Sequence, residues 1–292
     1  MAISFSNVPS GIRVPLFYAE VDASKANLGS NNLKTLLIGQ MLTDSKAKVG
    51  QPVLVTGDSQ GKELFGRGSQ LALMNSAFRA NCSVGEVWAL PVSEPSGNAS
   101  SCTVTITGKA TASGTLTIYI ASTRVQCAVA LDDEPTAIAT ALAAAINAKP
   151  DLPVKAEGEA GVVTLNAKNK GLFGNDIRVV INLQGFAAGE ELPEGVQVVA
   201  TAMAGGTGSP DLAELEKALG DEEYDFIAVP FADTASLEVF TKIMNDKTGR
   251  WSSTRQVYGH VYSCKRDTVS NLQSFGKSLN DQHLTVVGIE SE

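Results

Sequence analysis

The sequence is short of the residues that most often carry covalent or metal chemistry. Its 292 residues include four cysteines and two histidines, and no two cysteines form a C-x-x-C pair. Structural zinc sites need clustered thiolate or imidazole ligands, so this spacing argues against a metal site. We expect Cys82, Cys102, Cys127 and Cys264 to be reduced and mostly buried as small apolar side chains. Cys102 and Cys127 lie on consecutive predicted strands and are candidates for cross-strand neighbours, with a disulfide as the less favoured alternative.

Long apolar runs and an excess of basic residues are also missing. No stretch approaches the roughly 18 apolar residues of a membrane span, and the first residues lack the basic start and apolar run of a signal peptide. Asp and Glu number 31 against 23 Lys and Arg, which gives a formal net charge of -8 at pH 7. A protein that binds duplex nucleic acid needs a basic face to neutralise phosphates. The sequence therefore predicts neither membrane insertion nor a nucleic-acid partner.

The first third of the chain is predicted to be an extended arm followed by an α/β region. Residues 1–22 contain Pro9, Gly11 and Pro15, which interrupt an apolar, β-prone run and favour an extended segment or edge strand. Residues 23–93 contain short apolar runs and one stretch with helical spacing. This pattern predicts strands at 36–39, 52–55 and 87–90 and a helix over 69–81.

The composition changes near residue 94, where the linker-like run SEPSGNASS lies. Several later segments alternate polar and apolar residues at period two, which is typical of half-buried strands. The acidic run 132–134 before Pro135 predicts a helix start. Residues 94–204 are thus predicted to form an inserted β-rich domain with one helix. Its predicted elements are strands at 103–107, 116–120, 125–129, 162–165 and 177–181, a helix over 135–148 and a loop over 184–195, with 116–120 and 125–129 forming a hairpin.

Residues 205–292 alternate helix-like and strand-like segments. A β-α-β-α-β order argues for a parallel sheet with helical crossovers. The complete prediction is therefore an α/β core, made of 23–93 and 205–292, into which the small α+β domain is inserted. The predicted strands of this last part are 226–229, 257–261 and 285–289. It also has three predicted helices: the first carries Leu212 to Leu219, the second begins after Asp233, and the third spans 268–279.

Two glycine-containing runs share some features of phosphate-binding loops. In Gly57–Glu63 only three residues separate the glycines and Glu63 follows the lysine, whereas a phosphate loop needs four residues and then Ser or Thr. A surface turn is the favoured interpretation. The run 205–208 precedes a predicted helix, but without a strand leading into it a hinge or tight turn is favoured.

Side chains that often catalyse reactions are also scattered. His260 and His283 sit in different predicted elements, and His260 alternates with Tyr258 and Tyr262, which favours a packed or interface histidine. Ser252, Ser253 and Thr254 form a polar loop and not a nucleophile elbow. The acidic clusters 132–134 and 221–223 are explained by a helix start and a solvated turn, with paired catalytic carboxylates as the alternative. The sequence therefore predicts a protein that is not an enzyme, with no catalytic residue, cofactor or metal.

Several segments, in their order along the chain, resemble Mu-like phage tail sheath proteins. None is a chemical signature, and their joint order over nearly the whole chain carries the resemblance. The segments are NVPSGIRVPLFYAEVD, SGTLTIYIASTRVQCAVALDDEPTAIATALAAAINA, GVVTLNAKNKGLFGNDI, AGGTGSPDL, FIAVPFADTASL and RQVYGHVYSCKRD with LNDQHLTVVG.

The resemblance implies a structural subunit that stacks in helical rings around the tail tube and contracts to drive it through the host envelope. It implies an α/β core near the tube, a protruding inserted domain, and chain-end arms that add strands to neighbouring subunits. The implied partners are neighbouring sheath subunits, the tail tube protein, and baseplate and terminator proteins, in a virion tail assembled in the host bacterial cytoplasm. Such proteins are longer, so this chain is expected to be a shortened form that is monomeric.

The residues themselves and the family resemblance both predict an extended arm at the start of the chain. An apolar, proline-punctuated segment is suited to β-augmentation, in which main-chain hydrogen bonds hold the partner. An arm folded onto its own core is the alternative. Two other functions remain open: an adhesive or carbohydrate-binding tail component, favoured by the β-rich insert, and an α/β enzyme, favoured only by the last third. The candidate interface residues are Ile3, Phe5, Val8, Ile12, Val14 and Phe17.

Overall fold

The computed structural model describes residues 33–290, which form a mixed α/β fold with parallel and antiparallel sheets. Short 3-10 helices span Leu172–Asp176 and Phe186–Ala188. The helices are α1 (Asp58–Phe65), α2 (Gln70–Asn81), α3 (Pro135–Asn147), α4 (Leu215–Leu219), α5 (Thr234–Met244) and α6 (Val269–Ser278). The strands are β1 (Lys34–Gln40), β2 (Val53–Leu54), β3 (Glu86–Val92), β4 (Ala99–Thr107), β5 (Gly114–Ile120), β6 (Thr123–Val129), β7 (Val154–Glu159), β8 (Val162–Lys170), β9 (Val179–Ile181), β10 (Gln197–Ala200), β11 (Phe226–Ala228), β12 (His260–Asp267) and β13 (Leu284–Glu290).

A six-stranded sheet contains strands from both ends of the described chain, in the order β13-β12-β11-β1-β3-β2. All neighbouring pairs are parallel except β2 and β3, which are antiparallel. The parallel arrangement predicted for the last third is confirmed. β1 lies in the middle because its continuous apolar run is buried on both faces, as parallel strands between helices require.

The two faces of this sheet are covered by different helices. On one face, Leu36 of β1 and Ile227 of β11 pack with α4 and α5. On the opposite face, Leu37 of β1 packs with Phe65 of α1 and Leu71 of α2. The crossovers on the two sides of β1 therefore lie on opposite faces, as in doubly wound α/β proteins.

Three helices begin where local sequence signals placed them. The Ser69 hydroxyl accepts from the Ala72 N–H at 3.1 Å and caps α2. The Asp233 carboxylate accepts from the Ser236 N–H at 3.0 Å and caps α5. Thr268 caps α6 in the same way. Each side chain satisfies a backbone donor that the first helical turn leaves unpaired, so these starts could be predicted locally.

Residues between β3 and β11 form two further sheets, a four-stranded one ordered β10-β4-β8-β7 and a three-stranded one ordered β6-β5-β9. All their pairs are antiparallel. Helix α3 packs its Ile138, Leu142 and Ile146 into the core that these sheets share. The predicted hairpin is confirmed, because β5 pairs with β6 along its whole length.

The pairing of Cys102 with Cys127 was wrong. Cys102 lies in β4 of the four-stranded sheet and Cys127 in β6 of the three-stranded sheet, and both thiols are free. The chain changes sheet between β4 and β5, so consecutive strands are not neighbours here. Burial raises the pKa of Cys102 to about 11, as expected of a buried thiol that behaves as a small apolar side chain.

Several other elements differ from the prediction. The strand predicted at 52–55 is only the two-residue edge strand β2, with Leu54 exposed. Gly57–Glu63 is not a surface turn but the start of α1, whose Gly61 packs against Asn75 with no room for a Cβ. Helix α4 does not begin until Leu215. Strands β7 and β10 were missed. β10 pairs with β4, about ninety positions earlier in the chain, whereas β7 forms a hairpin with β8, the next strand.

Arg250 is a buried charge that the sequence did not reveal. Its guanidinium is fully buried and donates to the carbonyl oxygens of Gly220, at 2.6 Å, and Glu222. Burial lowers the pKa of Arg250, and the charge of Arg255 lowers it further. The guanidinium satisfies carbonyls at and after the end of α4, which a helix end leaves unpaired.

Candidate functional site

The six predicted interface residues lie outside the residues that the structure describes. Their role therefore stays a prediction. They are Ile3, Phe5, Val8, Ile12, Val14 and Phe17.

The glycine run 205–208 is held in place by contacts with the 3-10 helix at 172–176. The Asn175 carboxamide accepts from the Gly206 N–H at 2.9 Å and donates to the Gly206 carbonyl at 3.0 Å. A Cβ on Gly206 would lie 2.4 Å from the Gly171 carbonyl oxygen. Glycine is needed there for close approach of two backbone segments, and the polar groups of Gly206 are already paired.

The two histidines lie beside each other at the start of the paired strands β12 and β13, but their rings make different contacts. The His260 Nε2 lies 2.8 Å from the Thr285 hydroxyl and its ring contacts Tyr262. Burial lowers the pKa of His260, and the neighbouring His283 lowers it further. His283 stacks on Trp251 at 4.3 Å between ring centroids. Among residues 33–290, no group of three or more His, Cys, Asp or Glu side chains is arranged to hold a metal ion.

One half of the six-stranded sheet exposes apolar side chains. Phe226 and Tyr262 contact each other, with ring centroids 6.1 Å apart, and are 39% and 38% exposed. Val287 and Ile289, on the same face of β13, are about half exposed. We call these four residues the open sheet face. Contiguous exposed apolar side chains make this face a candidate contact surface, and β13 is also an edge strand among the described strands.

We call residues 99–200, from the start of β4 to the end of β10, the insert. The insert and the six-stranded sheet meet at a buried asparagine, Asn169 of β8, which is 5% exposed. Its carbonyl oxygen accepts from the Gln70 N–H at 2.9 Å, at the start of α2. Its amide donates to the Met41 carbonyl at 3.1 Å and to the Glu94 carboxylate at 3.0 Å. We call Asn169 and these three partners the junction latch, because one side chain from the insert joins three segments outside it.

Exposed ion pairs flank the junction latch. Arg67 donates to both carboxylate oxygens of Asp151 at 2.7 and 3.2 Å, and Lys62 lies 3.2 Å from the same carboxylate. The hydrogen bond from Arg67 is the main reason that the pKa of Asp151 is lowered. These groups are partly exposed, so water screens them and they contribute little beside the buried hydrogen bonds of Asn169.

The two chain segments that connect the insert to the rest of the fold run side by side. The Asn98 N–H donates to the Thr207 hydroxyl at 3.0 Å, and the Thr207 N–H donates to the Asn98 carbonyl at 3.1 Å. A Cβ on Gly97 would lie 1.7 Å from the Thr207 carbonyl oxygen. We call these two connecting segments the neck; they are hydrogen-bonded to each other and tightly packed. Together with the junction latch, the neck restricts movement between the insert and the six-stranded sheet.

The insert displays one strongly exposed aromatic side chain, Phe186, in the loop 182–190. Phe186 is 81% exposed, while the loop is anchored by the buried carboxylate of Glu190. This carboxylate accepts from the Tyr119 hydroxyl at 2.6 Å and the Gln184 N–H at 2.9 Å, and lies 3.1 Å from Arg124 Nε. Burial alone would raise the pKa of Glu190, but these hydrogen bonds and the Arg124 charge lower it.

We expect Glu190→Gln to weaken the fold in a pH-dependent way. Because the folded pKa is lowered, the carboxylate stabilises the protein above its unfolded pKa of about 4.3, and this contribution is lost as pH falls through the folded pKa. Urea unfolding at pH 7 should show the variant less stable than the parent, and the difference should shrink at pH 3. Glu191→Gln, the same change at the exposed neighbour, is the control. An unchanged difference at pH 3 would contradict the ionic role of Glu190.

The described residues thus define a mixed α/β protein with one largely parallel sheet and, in the chain between β3 and β11, two antiparallel sheets. No helix in residues 33–290 is long and apolar enough to cross a membrane. Comparison with known proteins then shows which proteins the chain is similar to. The chain is 38% identical over 284 residues to the Mu-like prophage FluMu tail sheath protein of Haemophilus influenzae (strain ATCC 51907 / DSM 11121 / KW20 / Rd), a match covering 96% of this chain and 57% of that protein.

The chain is therefore a homologue of the Mu-like tail sheath proteins, and the resemblance predicted from its sequence is confirmed. It spans little more than half the length of that relative. No protein-family model matches the chain.

Two solved sheath tail proteins are also similar, Lin1278 from Listeria innocua and DSY3957 from Desulfitobacterium hafniense, each with a TM-score of 0.33 and 14% identity. They cover 81% and 95% of this chain, and the matches extend over 48% and 56% of their own lengths. A likeness at this level does not define a shared fold.

Proposed function

We propose that the chain is part of a contractile tail sheath subunit that polymerises helically around a tail tube. The observation that carries this proposal is the 38% identity to a tail sheath protein over 96% of the chain. In this function, contraction drives the tube through the host envelope. The partners are other sheath subunits, the tail tube protein, and baseplate and terminator proteins, in a virion tail assembled in the host cytoplasm.

The proposed arrangement has the six-stranded sheet near the tube and the β4–β10 unit protruding as an inserted domain. The junction latch and the paired neck support a rigid attachment of this unit, because they join the insert to the sheet through buried or closely packed backbone contacts. A protruding domain held in this way moves with the core. The subunit then behaves as a rigid body when neighbouring subunits change their packing.

Contacts between subunits are proposed to be open and head-to-tail, because such contacts generate helices and not closed dimers. The open sheet face and the β13 edge are available for such contacts on the described part of the chain. The extended arm of 1–22 supplies the partner strand in this proposal. Contraction is then a switch between two helical packings of rigid subunits, released from a metastable state without bound nucleotide.

Electron microscopy of the purified full-length protein tests the proposal. We expect tubes or polysheaths with a regular helical repeat. Closed dimers or monomers at all concentrations and salt conditions would contradict helical assembly. Stoichiometric nucleotide or metal in the purified protein would contradict a contraction that depends on subunit packing alone.

A further inference from the structure

The only two histidines of the sequence are neighbours at one end of the strand pair β12 and β13. His260 is the first residue of β12, and His283 directly precedes β13. The Val261 N–H donates to the His283 carbonyl at 2.9 Å, which holds the two segments side by side. Histidine is the side chain that ordinarily changes its charge between pH 5 and 8. We therefore expect this end of the strand pair to change charge in that range.

His283 is surrounded by groups that stabilise a positive charge. It is 7% exposed, and its Nε2 lies 2.9 Å from a carboxylate oxygen of Asp246, in the loop after α5. Its ring stacks on Trp251, with 4.3 Å between ring centroids. Its backbone N–H donates to the Asp281 carboxylate, in the loop after α6, at 2.7 Å. A protonated imidazole at this place therefore has a carboxylate and the face of an indole ring beside it.

His260 has no comparable partner for a positive charge. It is half-buried, its Nε2 lies 2.8 Å from the Thr285 hydroxyl, and its ring contacts Tyr262. On the β11 side, the Asp225 carbonyl accepts the His260 N–H at 3.0 Å, while the Asp225 carboxylate accepts the Lys34 N–H at 2.7 Å. Among residues 33–290, no carboxylate forms an ion pair with His260. A charge on His260 is therefore not compensated locally.

The protonation of His260 is linked to the stability of this part of the sheet. Burial lowers the pKa of His260, the neighbouring His283 lowers it further, and Asp281 opposes both effects. The unfolded chain then binds the proton more readily than the folded one, so stability is lost as pH falls from about 6.5 through the folded pKa. Among the described strands, β13 is an edge strand that pairs with β12 alone. The loss is therefore expected to free β13 before the rest of the sheet.

We propose that the two histidines form an acid-sensitive clasp, which holds β13 on the sheet at neutral pH and loosens it in acid. At neutral pH His260 is uncharged and packs against Tyr262. In acid both imidazoles are charged, and their repulsion acts at the point where β13 begins. Because Val287 and Ile289 belong to β13, the same change loosens the open sheet face. The clasp does not depend on the sheath function.

Amide hydrogen exchange of the whole chain at pH 7.5 and pH 5.5 tests the clasp. After correction for the intrinsic pH dependence of exchange, protection of the β13 amides should fall about threefold or more relative to the β1 amides at the lower pH. β1 lies in the middle of the same sheet and reports global unfolding. The NMR signal of the His260 ring should titrate below the ordinary histidine value of about 6.5. An equal ratio of β13 to β1 protection at both pH values would overturn the proposal.

Two substitutions should change the acid effect in opposite directions. His260→Gln keeps a polar side chain that cannot be charged, and should remove most of the loss of β13 protection. Asp281→Asn keeps an oxygen that can accept the His283 N–H but removes the charge that favours protonated His260, so it should enlarge the loss. Lys277→Gln, in the exposed last turn of α6, is the control and should behave like the parent.

The two variants decide the proposal independently. A loss of β13 protection in His260→Gln as large as that of the parent would overturn it. A smaller loss in Asp281→Asn than in the parent would do the same, even if His260→Gln failed to fold.

Discussion

Replacing Asn169 with leucine should lower the free energy of unfolding by about 4 kcal/mol, one of the largest effects a single substitution can have in this protein. The substitution removes three hydrogen bonds at once. It leaves the Gln70 N–H, the Met41 carbonyl and the Glu94 carboxylate without that partner at a buried junction. Each unpaired buried polar group costs about 1–3 kcal/mol, and the leucine cannot repay this by apolar burial alone.

Asn166→Leu provides the matched control. Asn166 lies on the same strand β8, three residues earlier and on the opposite side of the strand, and is only half-buried. The change in size and polarity is identical, but the junction latch is untouched. We expect a change within about 0.5 kcal/mol, as for surface substitutions away from such features.

The two tryptophans allow the same experiment to show where stability is lost. Trp88 lies in β3, and Trp251 packs against the core of the six-stranded sheet; the insert, residues 99–200, has no tryptophan. Tryptophan fluorescence therefore follows the sheet, whereas circular dichroism follows both units. In the parent the two urea transitions should coincide. In Asn169→Leu they should separate. Coincident transitions with unchanged midpoints would show that the latch does not couple the two units.

The latch also shows the limit of prediction from the sequence. Asn169 lies in the polar run NAKNK, which gives no sign of burial, and the prediction ended that strand at residue 165. Its partners are separated from it by 75 to 128 residues, so no local pattern relates them. The helix starts at Ser69, Asp233 and Thr268 could be predicted because the capping side chain and the backbone N–H that donates to it lie within one turn.

The same contrast between local and distant contacts explains the errors in α1 and β10. Gly57–Glu63 has the composition of a turn, but as α1 it lies against α2, where Gly61 and Asn75 are in contact. β10 is four residues long and is formed only by pairing with β4, about ninety positions earlier in the chain.

Deletion of residues 1–20 should abolish assembly of the full-length protein into tubes while changing its melting temperature by no more than about 2 °C. In a β-augmentation, main-chain hydrogen bonds form with a neighbour and alternate side chains fix the register. An arm used in this way contributes to the contact between subunits and little to the stability of one subunit. Negative-stain microscopy and sedimentation would measure assembly, and calorimetry would measure stability.

Deletion of the arm removes both its length and its apolar side chains. Point substitutions keep the length and test whether those side chains are buried in a neighbouring subunit. Replacing Ile3 and Phe5 with aspartate places charge on one side of an extended segment, whereas the same replacement at Ser4 and Ser6 places it on the other. If the apolar side is buried in a neighbour, the first pair should block assembly and the second should leave tubes intact. If both pairs of substitutions block assembly equally, the added charge alone explains the loss, and burial of one side of the arm in a neighbour is not supported. A melting temperature lowered by many degrees would instead show that the arm packs on its own subunit, and the open sheet face would then have to bind some other segment.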